Sequence, residues 1–188
     1  MFSKTFRAFS AGKQIAWLAV FVALSVAANS YIGIELSATN KITFTYAVCF
    51  FAGWLMGPVP GFLVGMLGDA IGFLIKPVDI YWLYGLTLGL YGAITGWVMN
   101  AIRADGKGWL YGKAAIALAA GFVCITCLLN SLVMYLYLYL FVWGGVFQKS
   151  FIVYLLGRLS VQSVVYLANV VLCVAILPFA AKWKAVRR

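Results

Sequence analysis

The stretch Ala52–Asp69, AGWLMGPVPGFLVGMLGD, contains the sharpest break in this 188-residue chain. Two apolar runs meet there at the segment Gly57-Pro58-Val59-Pro60-Gly61. Because proline cannot continue a helix and glycine permits a tight turn, the segment predicts a hairpin of two short helices. Neither arm of this hairpin is expected to span a membrane comfortably by itself.

The composition around the hairpin is that of an integral membrane protein. The chain is 65% hydrophobic and 10% charged with a mean hydropathy of +1.03, whereas soluble domains carry about 25% charged residues. At ~20 residues per crossing, the length allows roughly six transmembrane helices. We therefore predict an all-α integral membrane protein with one six-helix domain over residues 1–188. The predicted helices are approximately 14–33, 43–57, 60–75, 82–102, 112–141 and 151–181.

The distribution of basic residues predicts the orientation. With six spans both termini share a side, and ten Lys and Arg fall on that side. The loops at 31–42, 76–82 and 141–150 carry three, namely Lys41, Lys76 and Lys149. The positive-inside rule then places both termini in the cytoplasm. The formal net charge of +10 points to anionic lipid as a partner, and not to nucleic acid.

A secretory leader is the competing interpretation of the first run, although that run is longer than a leader's apolar core.

The side-chain inventory leaves little room for catalysis or metal binding. The chain has no His and four acidic residues, so candidates for proton transfer or metal ligation are few. We expect neither an enzyme nor a cofactor or metal in this chain. The cysteines lie in apolar runs and are predicted to pack as small buried hydrophobes, the C-x-x-C pair included. They are Cys49, Cys124, Cys127 and Cys173.

Small residues recur at four-residue spacing, which lets helix backbones approach closely. The glycines on the third and fourth predicted helices indicate packing inside the bundle, and Gly65, Gly68 and Gly72 are assigned this structural role. A similar row on the first helix, Ala19, Ala23 and Ala27, is available to a partner membrane protein. The glycine pairs are Gly61/Gly65, Gly68/Gly72, Gly85/Gly89 and Gly92/Gly96.

Polar groups at membrane depth are costly and therefore mark function or internal pairing. Asp69 and Arg158 both fall deep in their predicted helices. Two interpretations are open: an Asp69–Arg158 ion pair that locks the bundle, or direct contact of Arg158 with a ligand. Asn130, Gln162 and Asn169 add uncharged polar groups on the last two helices, and Asn130 is placed to face an outward-opening cavity.

Aromatic residues gather at the predicted outer ends of the helices. Most are expected to form the interfacial belt of a membrane protein. Those on the 76–84 connection, beside Lys76 and Asp79, can also close over a small polar ligand. The group consists of Tyr81, Trp82, Tyr84, Tyr135, Tyr137, Tyr139 and Trp143.

Taken together, these motifs resemble the substrate-binding S-component of an energy-coupling factor (ECF) vitamin transporter, particularly the folate family. The resemblance covers residues 14–97 and rests on Ala19-Val-Phe-Val-Ala23-Leu, Lys41-Ile-Thr-Phe, the block 52–69, and its continuation to Gly96. The second half matches in hydropathy and in Gly157-Arg158-Leu159.

The resemblance implies a subunit of an ABC-type transporter in the bacterial plasma membrane. Such a subunit captures a vitamin outside and delivers it inward with a transmembrane coupling subunit and two cytoplasmic ATPases. Ala19 and Ala23, with Ala27 one turn on, would contact the coupling subunit. ATP and Mg would bind the partner subunits, since this chain has no G-x-x-x-x-G-K-[ST] loop.

One departure from the family pattern bears on the vitamin. The resemblance implies that folate binders have a Ser-Arg pair where this chain has Asn29-Ser30. The cation expected to meet folate's carboxylate is therefore missing here. Pantothenate, a smaller carboxylate with hydroxyl and amide groups, is the favoured ligand, and folate or another vitamin is the alternative. The predicted substrate-binding residues are Asn29, Lys41, Lys76, Tyr81, Trp82, Tyr84, Asn130, Arg158 and Gln162.

Other classes of function remain as alternatives. An intramembrane enzyme needs a nucleophile beside an acid or base, and no familiar spacing is present. A self-contained transporter typically shows paired repeats with broken helices. This sequence shows no convincing repeat, so it would have to form an oligomer to supply the second half. A structural or assembly protein would show no saturable vitamin binding.

Overall fold

The computed structural model describes residues 2–32, 34–37, 40–77, 83–102 and 107–186. A continuous rod, Gly108–Val142, is built from two α-helical and two π-helical segments. The helices are α1 (Lys4–Arg7), α2 (Ala11–Ser30), α3 (Thr45–Met56), α4 (Pro58–Ile75), α5 (Tyr84–Ala101), α6 (Lys107–Ala120), α7 (Asn130–Tyr137) and α8 (Phe151–Val186). The π-helical segments are π1 (Gly121–Leu129) and π2 (Leu138–Val142), and the strands are β1 (Ile34–Ser37) and β2 (Asn40–Ile42).

Six long helical stretches form the described part of the chain, close to the six predicted runs. The structure differs from the prediction in two respects, the segment 31–42 and the number of membrane crossings. Residues predicted as a plain loop at 31–42 contain the antiparallel pair β1–β2, in which Glu35 lies opposite Lys41. The prediction of six membrane crossings is met in part, because four described helices are long and apolar enough to span: α2, α4, the rod and α8.

The α3–α4 hairpin is asymmetric, contrary to the expectation of two short arms. α3 has 12 residues, or ~18 Å at 1.5 Å per residue, which is short of a bilayer's apolar thickness. α4 has 18 residues and is one of the four helices of membrane length. The turn between them lies at Gly57, whose φ of 116° is a left-handed conformation that glycine tolerates.

The long helices alternate in direction, so the bundle has two ends. The terminal end holds residues near Ser3, the α3–α4 turn and the last turns of α8, where Ser3 and Lys184 both contact the end of α3. The distal end holds the β-hairpin and the segment 143–150. There Lys76, at the end of α4, lies 5.9 Å from the ring centroid of Tyr31.

Glycines bring the backbones of α3, α4 and α5 into direct contact, as the sequence spacing predicted. A Cβ atom on Gly61 would lie 2.7 Å from the carbonyl oxygen of Gly92, and one on Gly65 would lie 2.5 Å from the Leu88 carbonyl. Real Cβ atoms do not approach backbone so closely, so these positions accept glycine alone. α3 is consequently buried on nearly every side, with Cys49, Phe50 and Ala52 fully enclosed.

α2 packs on the other side of α4 through a second set of small residues. A Cβ atom on Gly68 would meet the Ser25 side chain, and one on Gly72 would lie 3.0 Å from Ser30 Oγ. The opposite face of α2 has no partner among the described residues: Ala19 and Ala23 are exposed and Ala27 is half-buried.

The carbonyl groups at the C-terminal end of α3 are capped by three distant parts of the chain. Ser3 donates its backbone N–H to Met56 O at 2.8 Å and its hydroxyl to Leu55 O at 2.6 Å. Asn100 Nδ2 donates to Trp54 O at 3.3 Å, and Lys184 Nζ donates to the same oxygen at 2.9 Å. These bonds satisfy groups that the helix itself leaves unpaired and add a cation at its negative end.

The cysteines differ from the expectation that all four pack inside the bundle. Cys49 and Cys173 are buried, whereas Cys127 is half-buried and Cys124 is exposed on π1. The packing prediction was therefore wrong for Cys124. An apolar run in the sequence does not tell which of its residues face the bundle and which lie on its outer surface.

Candidate functional site

Arg158 on α8 is a buried cation in the distal half of the bundle. The residue is 7% exposed. Its Nη1 donates to Asn130 O at 3.3 Å and to the Tyr154 hydroxyl at 3.2 Å. Its Nε atom is buried and has no hydrogen-bond partner in the described part of the chain. Since a buried charge is costly unless paired, the free donor marks this guanidinium as a site for an acceptor.

Asp69 contacts a different helix from Arg158. Its carboxylate accepts a hydrogen bond from Asn29 Nδ2 at 3.1 Å, on the α2–α4 side of the molecule. The partners of Arg158, by contrast, are the carbonyl of Asn130 and the hydroxyl of Tyr154. These contacts join the two side chains to neighbours on different helices, and an Asp69–Arg158 ion pair stays a prediction.

Asn130 connects Arg158 to α3. While its backbone carbonyl accepts from Arg158, its side-chain Nδ2 donates to the Tyr46 hydroxyl at 3.2 Å. One turn earlier, the buried Thr126 side chain lies beside the same Tyr46 hydroxyl. Gln162, one turn beyond Arg158 on α8, is 6% exposed. Donors and acceptors from three helices thus converge around one buried cation.

Tyrosines close the terminal side of this cluster. The hydroxyls of Tyr91 and Tyr166 lie 2.9 Å apart, and Tyr166 donates to Leu118 O at 2.7 Å. The ring of Tyr46 lies 5.0 Å from that of Tyr91 and 5.8 Å from that of Tyr166. This arrangement gives the polar cluster a floor of aromatic rings with satisfied hydroxyls, a typical lining for a small organic ligand.

The backbone of the rod is irregular beside the cluster. π1 ends at Leu129, immediately before Asn130, and Ser131 Oγ donates to Thr126 O at 3.3 Å across the junction. π-helical segments are rare and are often found at functional sites, where the wider turn displaces side chains and carbonyls from regular α-helical positions. Here the irregular segment carries Thr126 and ends directly before Asn130, the first residue of α7.

The other predicted substrate-binding residues have different contacts or lie outside the described residues. Asn29 is directed to Asp69, and Lys76 is exposed beside Tyr31 at the distal end. Tyr84 contacts Met134 Sδ through its hydroxyl and lies 6.2 Å from the Tyr137 ring. Lys41 lies on β2, opposite Glu35 in the strand pairing. Tyr81 and Trp82 lie outside the described residues.

Asn169, which the sequence offered as a further polar group at depth, has a structural role. Its Oδ1 accepts from the backbone N–H of Ala47 at 3.1 Å, and its Nδ2 donates to Thr43 O at 2.7 Å. These bonds fix the first turn of α3 against α8. The carbonyl of Val165 accepts the remaining amide proton at 3.0 Å.

Sequence reasoning missed several residues of the cluster, and two of them show why. Tyr154 precedes Arg158 by four residues, a spacing that places side chains together on a helix and could have been found. Tyr46 comes from a different helix, 84 residues before its partner Asn130, and no local pattern identifies such a contact. The described residues contain no group of three or more His, Cys, Asp or Glu suited to a metal ion.

Comparison with known proteins defines the class to which this chain belongs. The family of the ECF-type riboflavin transporter S component matches residues 10–177. Because this match extends over well above half of the sequence, the chain belongs to that family, whose members are transport components. With its apolar helices it is a multi-pass protein of the bacterial cell membrane.

Two curated relatives share parts of the sequence. An uncharacterized protein of Mycoplasma pneumoniae, the MG313 homolog, is 28% identical over 125 residues, or 65% of this chain. A UPF0397 protein of Streptococcus gordonii is 36% identical over 64 residues, or 34% of this chain. The matched regions span 43% and 34% of the lengths of these relatives.

A solved structure has the same fold. The crystal structure of FolT bound with folic acid aligns with a TM-score of 0.68, covering 87% of this chain and 92% of that one at 22% identity. At this identity the likeness establishes the arrangement of helices alone.

Proposed function

We propose that this chain is the vitamin-capturing S component of an ECF-type transporter, with its ligand site around Arg158 in the distal half of the bundle. A single observation carries the proposal. Arg158 is buried, its Nη1 is fixed by two hydrogen bonds, and its Nε is left without a partner in the described chain. A ligand with an anionic or strongly accepting group would satisfy that donor.

Pantothenate is the favoured ligand. Its carboxylate can bind the guanidinium through charge-assisted hydrogen bonds, which are the stronger kind in proteins. Its hydroxyl and amide groups match the neutral polar side chains nearby, Asn130, Gln162 and Thr126. Pantothenate is also small enough to need few further contacts.

Riboflavin is the second candidate, because the family to which the chain belongs is that of riboflavin S components. Its flat ring system could stack on tyrosines such as Tyr46 or Tyr154, and its hydroxyls could meet the same polar groups. Folate remains the third, since FolT has the same fold.

The distal end would face outward. Described basic residues gather at the terminal end, where Arg7, Lys13, Lys113 and Lys182 lie, and the positive-inside rule places such an end in the cytoplasm. The exposed row Ala19, Ala23 and Ala27 on α2 would then contact a transmembrane coupling subunit. Two cytoplasmic ATPases of the shared module would bind ATP and Mg and supply the energy.

Calorimetric titration of the purified, detergent-solubilised chain with pantothenate, riboflavin and folate tests the proposal. Saturable binding of one vitamin by the isolated chain is expected, since capture precedes coupling. A folded protein that binds none of the three would contradict the ligand assignments. A self-contained transporter would differ by supporting uptake in vesicles that contain this chain alone.

A further inference from the structure

Tyr135 on α7 is the centre of an aromatic cluster at the distal end. The residue is 7% exposed. Its ring centroid lies 5.6 Å from that of Trp143, 5.5 Å from Phe147 and 5.5 Å from Tyr154. Its hydroxyl donates to Lys149 O at 2.6 Å. One side chain therefore contacts the start, middle and end of the segment that joins the rod to α8.

That segment, residues 143–150, is here called the strap. It turns through Gly144 and Gly145, with φ of 62° and 83°, and is exposed from Gly144 to Ser150. The backbone N–H groups that bond lie in its first half: Trp143 to Leu138 O at 2.7 Å, Gly145 to Tyr139 O at 2.9 Å, and Val146 to Trp143 O at 3.3 Å. The strap is thus held to the bundle largely through aromatic side chains.

Tyr154 joins this cluster to the buried cation. Its ring packs on Tyr135, and its hydroxyl accepts the hydrogen bond from Arg158 Nη1. A path of direct contacts therefore runs from the strap through Tyr135 and Tyr154 to Arg158. The same guanidinium nitrogen also binds Asn130 O, so movement of Tyr154 would change the direction in which the free Nε points.

We propose that Tyr135 and Tyr154 are positioning residues that couple the docked state of the strap to the orientation of Arg158. When the strap is docked, Tyr154 holds Arg158 ready for its ligand. When a ligand engages Arg158, the same contacts hold the strap down over the distal end. The role of Arg158 as the ligand group rests on the proposed function, whereas the coupling between the strap and Tyr154 does not.

Hydrogen–deuterium exchange of the ligand-free protein tests the coupling by itself. Tyr135→Phe keeps the ring and removes the bond to Lys149 O, so exchange at the Gly145 and Val146 amides should rise about tenfold, the factor expected for one hydrogen bond. Tyr154→Phe removes the acceptor of Arg158 without touching the strap backbone, yet should raise exchange at the same two amides several-fold.

Tyr139→Phe is the matched control. Tyr139 stacks on Phe147 at 4.1 Å, and its hydroxyl has no hydrogen bond among the described residues, so exchange in the strap should equal that of the wild type. If Tyr154→Phe also leaves strap exchange at the wild-type rate in folded protein, the coupling is wrong.

Binding measurements give the second arm. With pantothenate as the probe, Tyr154→Phe should weaken affinity about tenfold, while affinity for its neutral alcohol, pantothenol, stays within about twofold. Equal weakening for both compounds would overturn the role of Tyr154 in orienting Arg158. If the wild type binds neither compound, the ligand assignment fails, and the exchange experiment alone decides the coupling.

Discussion

The two halves of the bundle are built on different principles. In α2 to α5, glycines and small residues press backbone against backbone, as at Gly61–Gly92 and Gly65–Leu88. In the rod and α8, bulky tyrosines and polar side chains make the contacts, the backbone contains π-helical segments, and a buried cation has an unused donor. The first half has no room to rearrange, whereas the second is held by side-chain contacts that a ligand can exchange.

The largest expected effect comes from adding one methyl group to the close-packed half. Gly65→Ala places a Cβ against the Leu88 carbonyl and should destabilise the protein by several kcal/mol, because backbone must move. Gly157→Ala on α8 is the control, since its added Cβ meets nothing within 4 Å. Thermal unfolding followed by size-exclusion chromatography compares the two. Equal melting temperatures would show that the α4–α5 contact is not the rigid element inferred here.

The next effect separates the exposed surfaces of the two halves. Ala23→Trp on α2 should abolish uptake in cells while leaving binding by the isolated chain intact, because the bulky side chain blocks the proposed coupling face. Val171→Trp is the control, since Val171 is also exposed, on α8, and it should preserve uptake. Loss of uptake in both variants would argue against a coupling face on α2.

A smaller effect is expected from neutralising the buried cation. Arg158→Gln removes the charge and leaves a shorter amide donor, and it should weaken binding of a carboxylate vitamin by about 2–3 kcal/mol, or roughly 30- to 150-fold. Calorimetry on the folded variant measures this change. Undiminished affinity would remove Arg158 from the ligand site.

The smallest effect tests whether the halves are independent. Asp69 is bound to Asn29 in one half, and Arg158 belongs to the other. Unfolding free energies of Asp69→Asn, Arg158→Gln and the double variant should therefore add to within about 0.5 kcal/mol. A larger coupling energy would mean that the two charges interact after all.

Much of the glycine-packed half could be predicted from the sequence, because its signals are local. Prolines and glycines placed the α3–α4 turn, and the four-residue spacing of glycines identified the internal faces of α4 and α5. The exposure of Ala19 and Ala23 likewise follows from the helical period, since Phe21, Val22 and Ser25 take the buried face.

The polar half resisted prediction because its contacts are long-range. The rod is joined to α8 by tertiary bonds such as Tyr166 to Leu118 O, across 48 residues. Opposite charge suggested Asp69 as one of two possible partners of Arg158, whereas the carbonyl of Asn130 and the hydroxyl of Tyr154 could not be read from the sequence. A helix period identifies which face is buried, but it does not reveal which atom of a neighbouring helix lies there.

The cap on α3 has a consequence for the order of folding. The carbonyl of Trp54 receives its lysine from a residue 130 positions later in the chain. During synthesis, Asn100 can bond this carbonyl first, but the charged bond from Lys184 forms only after nearly all of the described chain has been made. The last turns of α8 complete the cap on α3. A chain truncated before Lys184 should therefore have a less stable α3 C-terminus.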